Sequence, residues 1–461
     1  MLNKVGKFLI KNFWFLMFLG LFIRLILAGI SSWNNDIHVW YSFAADLKNH
    51  VGVYTNRTFS YPPGLAIILA IIYFPLTIFS GPDQWGKFSL AVDKLSANSL
   101  FFHPIINSPF FGFYTKIPLF LAEIALLYIF YLTYRNTIFT DKLKILALVF
   151  YLNPLIIFLN AVHAQLDVFV VLTVVISVYF FRKKSFLFAG LFLGAATTMK
   201  LYPGFLFLAY LYIIFFEARN WSGSIKKAIL FVLGFIFPVG SMLVYMHFVP
   251  AASVSTFARV DTIGFEGSLN LAFINYLPPL VPFISKNSSI LVKIMQYCLF
   301  TVPFIGLLSA IYINKKLPRL RPYILESVSV IIIFLIFLFS SRTNPNYLVW
   351  VMPFLLIVYT VGAISFSNIA SISLAALLFY FGIHSLSFKA LFFPMTYFGY
   401  PVDKICDDYM RMSSLRGSIN SKIYADVFLI SAIWFIASEF SIIYKISNFS
   451  KLNNIEEYED D

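Results

Sequence analysis

The chain is short of charge. Only 12% of its 461 residues are Asp, Glu, Lys or Arg, about half the share found in a typical soluble domain. Hydrophobic residues make up 60% and aromatic residues 19%, and the mean hydropathy is +0.83. So few charged side chains cannot cover a water-facing surface, which excludes a soluble globular protein. The composition predicts an all-α polytopic membrane protein, because backbone polar groups in lipid must be satisfied within the chain.

The sequence also lacks the short motifs of several enzyme classes. It has no Walker A loop, no Gly-x-Gly-x-x-Gly followed by an acid, no His-Glu-x-x-His and no cysteine pair at metal-binding spacing. Its two cysteines, Cys298 and Cys406, give no support for a disulfide. No soluble domain able to bind a nucleotide interrupts the apolar runs. A substrate is therefore expected to arrive with the lipid or from outside the cell.

Basic residues outnumber acidic ones, giving a net charge of +13. Much of this surplus lies in short clusters between apolar runs, which is typical of cytosolic loops rather than of nucleic-acid binding. The clusters are Arg135 with Lys142 and Lys144; Arg182, Lys183 and Lys184; Arg219 with Lys226 and Lys227; and Lys315 and Lys316 with Arg319 and Arg321. All four clusters are expected to face the cytosol.

The apolar runs predict about twelve transmembrane helices. They lie near residues 12–30, 117–134, 145–161, 166–181, 186–199, 203–216, 228–248, 290–312, 323–340, 347–364, 369–388 and 424–444. Alternating crossings satisfy every basic cluster, provided that the short apolar segment 64–79 does not cross. That segment is expected to be re-entrant or interfacial, within one long outer loop over residues 31–116.

This topology divides the chain into modules. An N-terminal catalytic module is expected over residues 1–248, a C-terminal transmembrane module over 249–445, and an acidic cytosolic tail over 446–461. Lysines before the first apolar run indicate an uncleaved anchor with a cytosolic N-terminus.

Asp36 is the leading candidate for a catalytic base. It lies in the run Asn34-Asn35-Asp36-Ile37-His38, where the first crossing leaves the membrane. A carboxylate at that depth is costly and usually functional. The alternative is a helix cap or a solvated loop acid.

Two cationic residues are candidate phosphate ligands. Lys200 lies in an apolar stretch, where a mid-span lysine costs about 2.5–3.5 kcal/mol, and its alternative is snorkelling to the interface. Arg342, beside Asn344 and Tyr347, carries a guanidinium that matches phosphate oxygens, and its alternative is a solvated loop arginine. The predicted topology places both near the outer ends of helices, so we expect one outer-face pocket.

Two further motifs contain polar groups at predicted helix ends. On a helix, His163 and Asp167 would share one face and Gln165 would not. They supply two metal ligands at most, and a helix cap by Asp167 or Asn160 is the alternative. The run from Tyr61 to Gly64 is either a helix start with proline in its first turn or a segment that shapes the Asp36 loop.

Taken in order, these motifs resemble those of the C-type glycosyltransferase superfamily (GT-C), whose members use polyprenyl-phosphate sugars. The likeness extends to GPI mannosyltransferase I, prokaryotic glycolipid mannosyltransferases and the glucosyltransferases of dolichol-linked oligosaccharide. The matching pieces, spanning roughly residues 15 to 360, are Asp36; Tyr61-Pro62-Pro63-Gly64; Leu152-Asn153-Pro154; His163-Ala164-Gln165-Leu166-Asp167; Met199-Lys200-Leu201-Tyr202-Pro203; and Asn344-Pro345-Asn346-Tyr347 with Trp350 and Pro353.

The resemblance implies a GT-C fold and an inverting transfer of mannose or glucose from a polyprenyl-phosphate sugar to a lipid-linked oligosaccharide or glycolipid. Asp36 would be the base. The donor phosphate would be bound by Lys200, Arg342, His163, Tyr202 and Tyr347, and the acceptor or sugar by His38, Gln165, Asp167, Asn344 and Tyr61. Metal-dependent members carry a second acid near the first helix, whereas this chain has one, so no metal or other cofactor is expected.

The expected setting comes from the sequence itself. Short basic loops, many Lys and Ile residues and the lack of a eukaryotic retention signal favour a prokaryotic plasma membrane, archaea included. The predicted topology puts the site on the outer face, and the protein is expected to be a monomer with no nucleic-acid partner. In a eukaryote the membrane would be that of the endoplasmic reticulum. A transporter or flippase of lipid-linked sugars is the alternative, although no convincing inverted repeat supports it.

Overall fold

The computed structural model describes residues 4–32, 34–55, 59–79, 81, 85, 106, 108–216, 221–261, 280–340, 345–383, 393–399 and 420–449. Within these ranges all regular structure is helical. The α-helices are α1 (Lys4–Lys11), α2 (Phe13–Ile30), α3 (Asn34–Lys48), α4 (Pro63–Phe79), α5 (Pro109–Tyr134), α6 (Thr140–Tyr151), α7 (Pro154–Ile157), α8 (Asp167–Arg182), α9 (Phe186–Met199), α10 (Phe207–Phe216), α11 (Trp221–Phe248), α12 (Pro250–Asp261), α13 (Leu280–Lys316), α14 (Ile324–Phe339), α15 (Leu348–Thr360), α16 (Phe366–Ile383) and α17 (Asn420–Ser447). A π-helix, Phe158–His163, continues α7, and 3-10 helices occupy Tyr202–Leu206, Arg321–Tyr323, Pro345–Tyr347 and Phe393–Phe398.

The predicted all-α membrane class is confirmed, whereas the count of twelve crossings is not. A helix occupies each of the twelve predicted positions. Among the described residues, six helices are long and apolar enough to cross a membrane, or seven if the bent pair Thr140–Tyr151 and Pro154–His163 is one span. Several others, such as α9 and α15, have fewer than the roughly 20 residues that a straight crossing needs. Twelve crossings therefore remain a prediction.

The bend of 52° in that helix pair follows from the sequence Leu152-Asn153-Pro154. The Asn153 side chain accepts a hydrogen bond from the Leu155 backbone N–H at 3.0 Å, and Pro154 occupies the first turn of α7. A side-chain cap followed by proline is a strong helix start. This motif therefore ends one helix and begins the next, which carries the π-helix.

The predicted outer loop over residues 31–116 contains two whole helices and the start of α5, which begins at Pro109, among its described residues. α3 was not predicted, and α4 covers the segment expected to be re-entrant or interfacial. α3 forms because Ile37, Trp40, Phe43 and Ala44 recur at helical spacing, and all four side chains are buried. α4 packs against α3.

The chain divides into two compact units. The first contains Met1–Leu172, Val244–Phe257 and Tyr380–Val427, and the second contains Thr173–Leu243, Ala258–Phe379 and Phe428–Asp461. In the first unit, α2 packs against α5 and the π-helix. These are units of packing, and the modules 1–248 and 249–445 stay a prediction.

In the second unit, α13, α14 and α15 pack side by side. The helices α9 and α11 approach so closely that glycine is required on both. A Cβ on Gly190 would lie 2.0 Å from the Phe231 carbonyl oxygen, and one on Gly234 would lie 2.1 Å from the Leu187 carbonyl oxygen. Any side chain at either glycine would force these backbones apart.

Candidate active site

Asp36 lies in the first turn of α3, on the same side as Trp40 one turn later. A carboxylate at a helix N-terminus is stabilised by the exposed backbone N–H groups and the helix dipole. The Asp36 side chain is 17% exposed, so the carboxylate is mostly enclosed but still accessible. Asp36 was predicted to follow the first crossing. In the structure it lies at the start of a helix rather than in a loop.

Two side chains from the π-helix segment converge on one oxygen of Asp36. Gln165 Nε2 donates to Asp36 Oδ2 at 2.6 Å, and His163 Nε2 also contacts Oδ2. Gln165 Nε2 and His163 Nε2 are 3.0 Å apart. The His163 side chain is 5% exposed and Gln165 is buried. We call Asp36, His163 and Gln165 the acid cluster.

The backbone between His163 and Gln165 explains how both side chains reach Asp36. Residues two apart on a helix point about 200° from each other, but here the π-helix ends at His163. Ala164 then adopts the left-handed conformation, with φ 60° and ψ 44°. Trp40 Nε1 donates to the Ala164 carbonyl oxygen at 3.0 Å and fixes this turn against α3. π-helical segments are frequent at functional sites.

The single helix on which His163 and Asp167 would share a face is not formed, because the π-helix ends at His163 and the next helix begins at Asp167. Asp167 is buried in the first turn of α8. The partner of His163 is instead Asp36, whose position in the sequence gave no sign of the contact.

The acid cluster surrounds one oxygen of the Asp36 carboxylate with nitrogen atoms that can donate hydrogen bonds. An N–H donor that bonds a carboxylate stabilises its charged form, and Gln165 supplies one such donor at 2.6 Å. A neutral His163 with its proton on Nε2, or a protonated one, supplies a second. The carboxylate is also fixed in orientation, because one of its oxygens is held from two directions.

The other predicted acceptor ligands in the first unit occupy different positions. The Tyr61 ring packs against Trp40, with centroids 5.5 Å apart, and its carbonyl oxygen accepts a hydrogen bond from Tyr54 at 3.1 Å. Burial, with a smaller effect from Tyr245, raises the pKa of the Tyr54 phenol, so it stays a donor. Tyr61 therefore supports the helix that carries Asp36.

His38 lies about 200° around α3 from Asp36. Its Nε2 is 3.4 Å from the Ser42 hydroxyl oxygen, one helical turn further along. His38 is thus on a different side of α3 from the acid cluster.

Lys200 lies in the second unit, in a break between helices. The two predicted runs 186–199 and 203–216 are indeed separate: α9 ends at Met199, Lys200 is extended, and a 3-10 helix begins at Tyr202. The Lys200 ammonium lies 4.9 Å from the ring centroid of Tyr347 and 5.1 Å from that of Trp350. Such contacts are favourable cation–π interactions.

The aromatic rings beside Lys200 form a stack. The rings of Tyr202 and Trp350 are 3.8 Å apart and tilted by 6°, and those of Tyr347 and Trp350 are 4.1 Å apart and tilted by 18°. We call Lys200, Tyr202, Tyr347 and Trp350 the lysine cluster. Two motifs far apart in the sequence, Met199 to Pro203 and Asn344 to Trp350, meet in it.

Some predicted site residues lie outside the described part of the chain. These are Arg342 and Asn344. The acid cluster belongs to the first unit and the lysine cluster to the second, so a single pocket containing both stays a prediction. Within the described ranges no three His, Cys, Asp or Glu side chains are grouped to hold a metal ion.

Sequence reasoning missed several residues around the acid cluster. Trp40 was part of a run interpreted as loop. Arg24 and Glu123 were overlooked although both are charged residues inside apolar runs, a signal that usually marks a specific partner. They form a fully buried ion pair with an N–O distance of 2.7 Å.

The described helices thus define a polytopic all-α membrane protein. A sequence model of glycosyltransferase family 87 matches residues 100–341, just over half of the chain. The chain belongs to this family, and it is therefore a glycosyltransferase. The match agrees with the C-type superfamily, whereas likeness to any particular member stays a prediction. Among the curated proteins compared with the chain, none matches it.

Proposed function

We propose that the protein transfers a hexose, mannose or glucose, from a polyprenyl-phosphate sugar to a hydroxyl of a lipid-linked oligosaccharide or glycolipid. Transfer would occur on the outer face of the membrane, within a fold of about twelve crossings. The observation that carries the proposal is the acid cluster, in which His163 and Gln165 orient a mostly enclosed carboxylate. Membership in a glycosyltransferase family favours transfer over the alternative of transport.

In the proposed reaction the acceptor hydroxyl gives its proton to Asp36. The hydroxyl oxygen attacks the anomeric carbon as the bond from that carbon to the phosphate oxygen breaks. The electron pair of that bond leaves with the polyprenyl phosphate. Attack and departure on opposite faces of the sugar give inversion in one displacement. Gln165 and His163 keep the accepting carboxylate in place during proton transfer.

His163 has a different role here from the one that its sequence position suggested. It was predicted to bind the donor phosphate. Its contact with Asp36 supports a role in orienting the base, because a directional contact to one carboxylate oxygen restricts rotation of the carboxyl group. The orienting role is the one that we propose.

The lysine cluster would bind the leaving phosphate. Without substrate, cation–π contacts with the rings of Tyr347 and Trp350 offset part of the free-energy cost of removing water from the Lys200 ammonium. A phosphate oxygen would offer a stronger, charge-assisted hydrogen bond. Tyr202 and Tyr347 carry hydroxyl donors beside it, and Arg342 precedes Tyr347 in the chain. Lys200 and Arg342 would stabilise the negative charge on the departing phosphate without a metal ion.

The test is transfer by purified protein in lipid nanodiscs, using short-chain polyprenyl-phosphate mannose and glucose and a glycolipid acceptor. Asp36→Asn should lower kcat about 100- to 10,000-fold, because an amide cannot accept the proton. Asp46→Asn is the matched control, since Asp46 is a buried acid on the same helix. Full activity in Asp36→Asn would refute the base assignment. Movement of the lipid across the membrane with no transfer would favour the transporter.

A further inference from the structure

We propose that Glu123 and Asn160 are positioning residues, which link α2 to the π-helix and so set His163 and Gln165 against Asp36. This inference rests on the proposed function of the acid cluster. It concerns a second, fully buried polar network in the first unit, which the reaction itself does not use.

The first part of the network joins α2 to α5. Arg24 Nε lies 2.7 Å from Glu123 Oε2, and neither side chain is exposed. The same guanidinium donates to the Tyr151 carbonyl oxygen at 2.6 Å and to the Gly20 carbonyl oxygen at 3.1 Å. It also lies over the Tyr151 ring, 3.9 Å from the centroid. Arg24 Nη2 also donates to Glu123 Oε1, at a longer 3.4 Å, so this second oxygen of Glu123 is held only weakly by Arg24 and can accept from another element as well.

The second part joins α5 to the π-helix. Asn160 Nδ2 donates a hydrogen bond to Glu123 Oε1. Asn160 is buried and lies three residues before His163, within the same π-helix. One carboxylate thus connects α2, whose chain leads directly to Asp36, with the segment that carries His163 and Gln165.

A third contact fixes the end of α2. Lys116 lies two helical turns before Glu123 on α5, and its ammonium donates to the carbonyl oxygens of Ala28 at 3.3 Å and Ser31 at 2.6 Å. Ser31 is five residues before Asp36. α5 therefore holds both segments through polar side chains, at separate points along one helix.

Hydrogen bonds are directional, whereas apolar packing allows small shifts between helices. The distance between Asp36 and its two partners depends on how the π-helix sits relative to α2. Because the π-helix and α2 both bind the Glu123 carboxylate, the network fixes the position of the π-helix relative to α2. Buried charges in apolar helices are costly, and this positional role accounts for their presence here. The rival explanation is that the network contributes only to stability.

The test uses Asn160→Leu, which removes the link to the π-helix but leaves the Arg24–Glu123 pair intact. We expect kcat to fall about 10- to 100-fold, the effect of a displacement of about 1 Å at a reacting group. KM for the donor should stay nearly constant, because the lysine cluster is unchanged. The acidic limb of the pH–rate profile should move to higher pH, since a displaced His163 and Gln165 would stabilise the carboxylate less.

Thr115→Val is the matched control. The Thr115 hydroxyl lies 2.9 Å from the Tyr73 hydroxyl, so this change also removes a buried hydrogen bond from α5, away from the π-helix. It should lower thermal stability without changing the pH–rate profile. If Asn160→Leu fails to fold, Asn160→Ala replaces it.

The outcomes separate the inference from the proposed function. Activity that falls only in proportion to the folded fraction, with an unchanged pH–rate profile, would overturn the positioning role. Loss of transfer in the wild-type protein with every donor would instead overturn the proposed function.

Discussion

The acid cluster and the lysine cluster are held together by different forces. In the acid cluster, hydrogen bonds of defined direction meet on Asp36 Oδ2, and Gln165 Nε2 donates to it at 2.6 Å. In the lysine cluster, three stacked rings and a cation share broad contacts at 3.8–5.1 Å. Hydrogen bonds weaken steeply with misalignment, whereas stacking and cation–π contacts tolerate small shifts.

This difference fits the work that we propose for each cluster. A proton acceptor must lie within hydrogen-bond reach of one hydroxyl. A leaving phosphate carries charge over several oxygens and can be stabilised from a range of positions. The comparison therefore predicts that changes to the acid cluster act on turnover, and that changes to the lysine cluster act on donor binding as well.

The largest effect in this comparison is expected for His163→Ala. Loss of the contact with Asp36 should lower kcat by about 100-fold or more and move the acidic limb of the pH–rate profile to higher pH, because the carboxylate loses a donor. His163→Gln can place an amide N–H near the same oxygen and should recover part of the activity. The measurement is the pH dependence of kcat in nanodiscs.

His247→Ala is the control, because His247 is exposed on α11. It should leave kcat unchanged. Should His163→Ala raise only KM for the donor, His163 would be a phosphate ligand after all, and the division of roles between the clusters would be wrong.

A smaller effect is expected for Lys200→Ala. Charge-assisted hydrogen bonds contribute about 1.5–3 kcal/mol, so kcat/KM for the donor should fall about 10- to 100-fold, with kcat and donor affinity both reduced. The control is Lys227→Ala. Lys227 also lies over an aromatic ring, 5.8 Å from the Phe186 centroid, yet it belongs to no predicted site.

Equal behaviour of these two lysine variants would show that Lys200 only covers aromatic surface. Donor binding can be measured separately from turnover with a polyprenyl phosphate that carries no sugar. That ligand should compete with the donor in the wild-type protein and much less in Lys200→Ala.

The sequence predicts the positions of the helices better than it predicts the contacts of the candidate site. Long apolar runs predict helices directly, because lipid leaves the backbone few alternatives, and a helix was found at each predicted position. α3 was missed because its polar residues suggest a loop. The helical spacing of Ile37, Trp40 and Phe43 was the available signal.

The contacts of the site could not be predicted in the same way. Gln165 is 129 positions from Asp36, and its approach depends on a π-helix and one left-handed residue, which no local pattern encodes. Lys200 and Tyr347 were each singled out by a motif, but their contact comes from the packing of the second unit. Arg24 and Glu123 were the exception. A positive and a negative residue inside two apolar runs could have been predicted to pair.

The smallest effect is expected for a change in the backbone turn between His163 and Gln165 that alters no side chain of the acid cluster. Ala164→Gly relieves a left-handed conformation that costs an alanine about 1–2 kcal/mol, but it removes a buried methyl group worth about 0.8 kcal/mol and adds chain entropy to the unfolded state. These terms nearly cancel, so thermal stability and kcat should barely change. Lys184→Gly, at an exposed residue with φ 58°, loses no buried group and should be the more stable of the two variants in thermal unfolding followed by tryptophan fluorescence. A large loss of kcat in Ala164→Gly with unchanged stability would mean that the rigidity of this turn, and not only its hydrogen bond to Trp40, keeps His163 and Gln165 on Asp36.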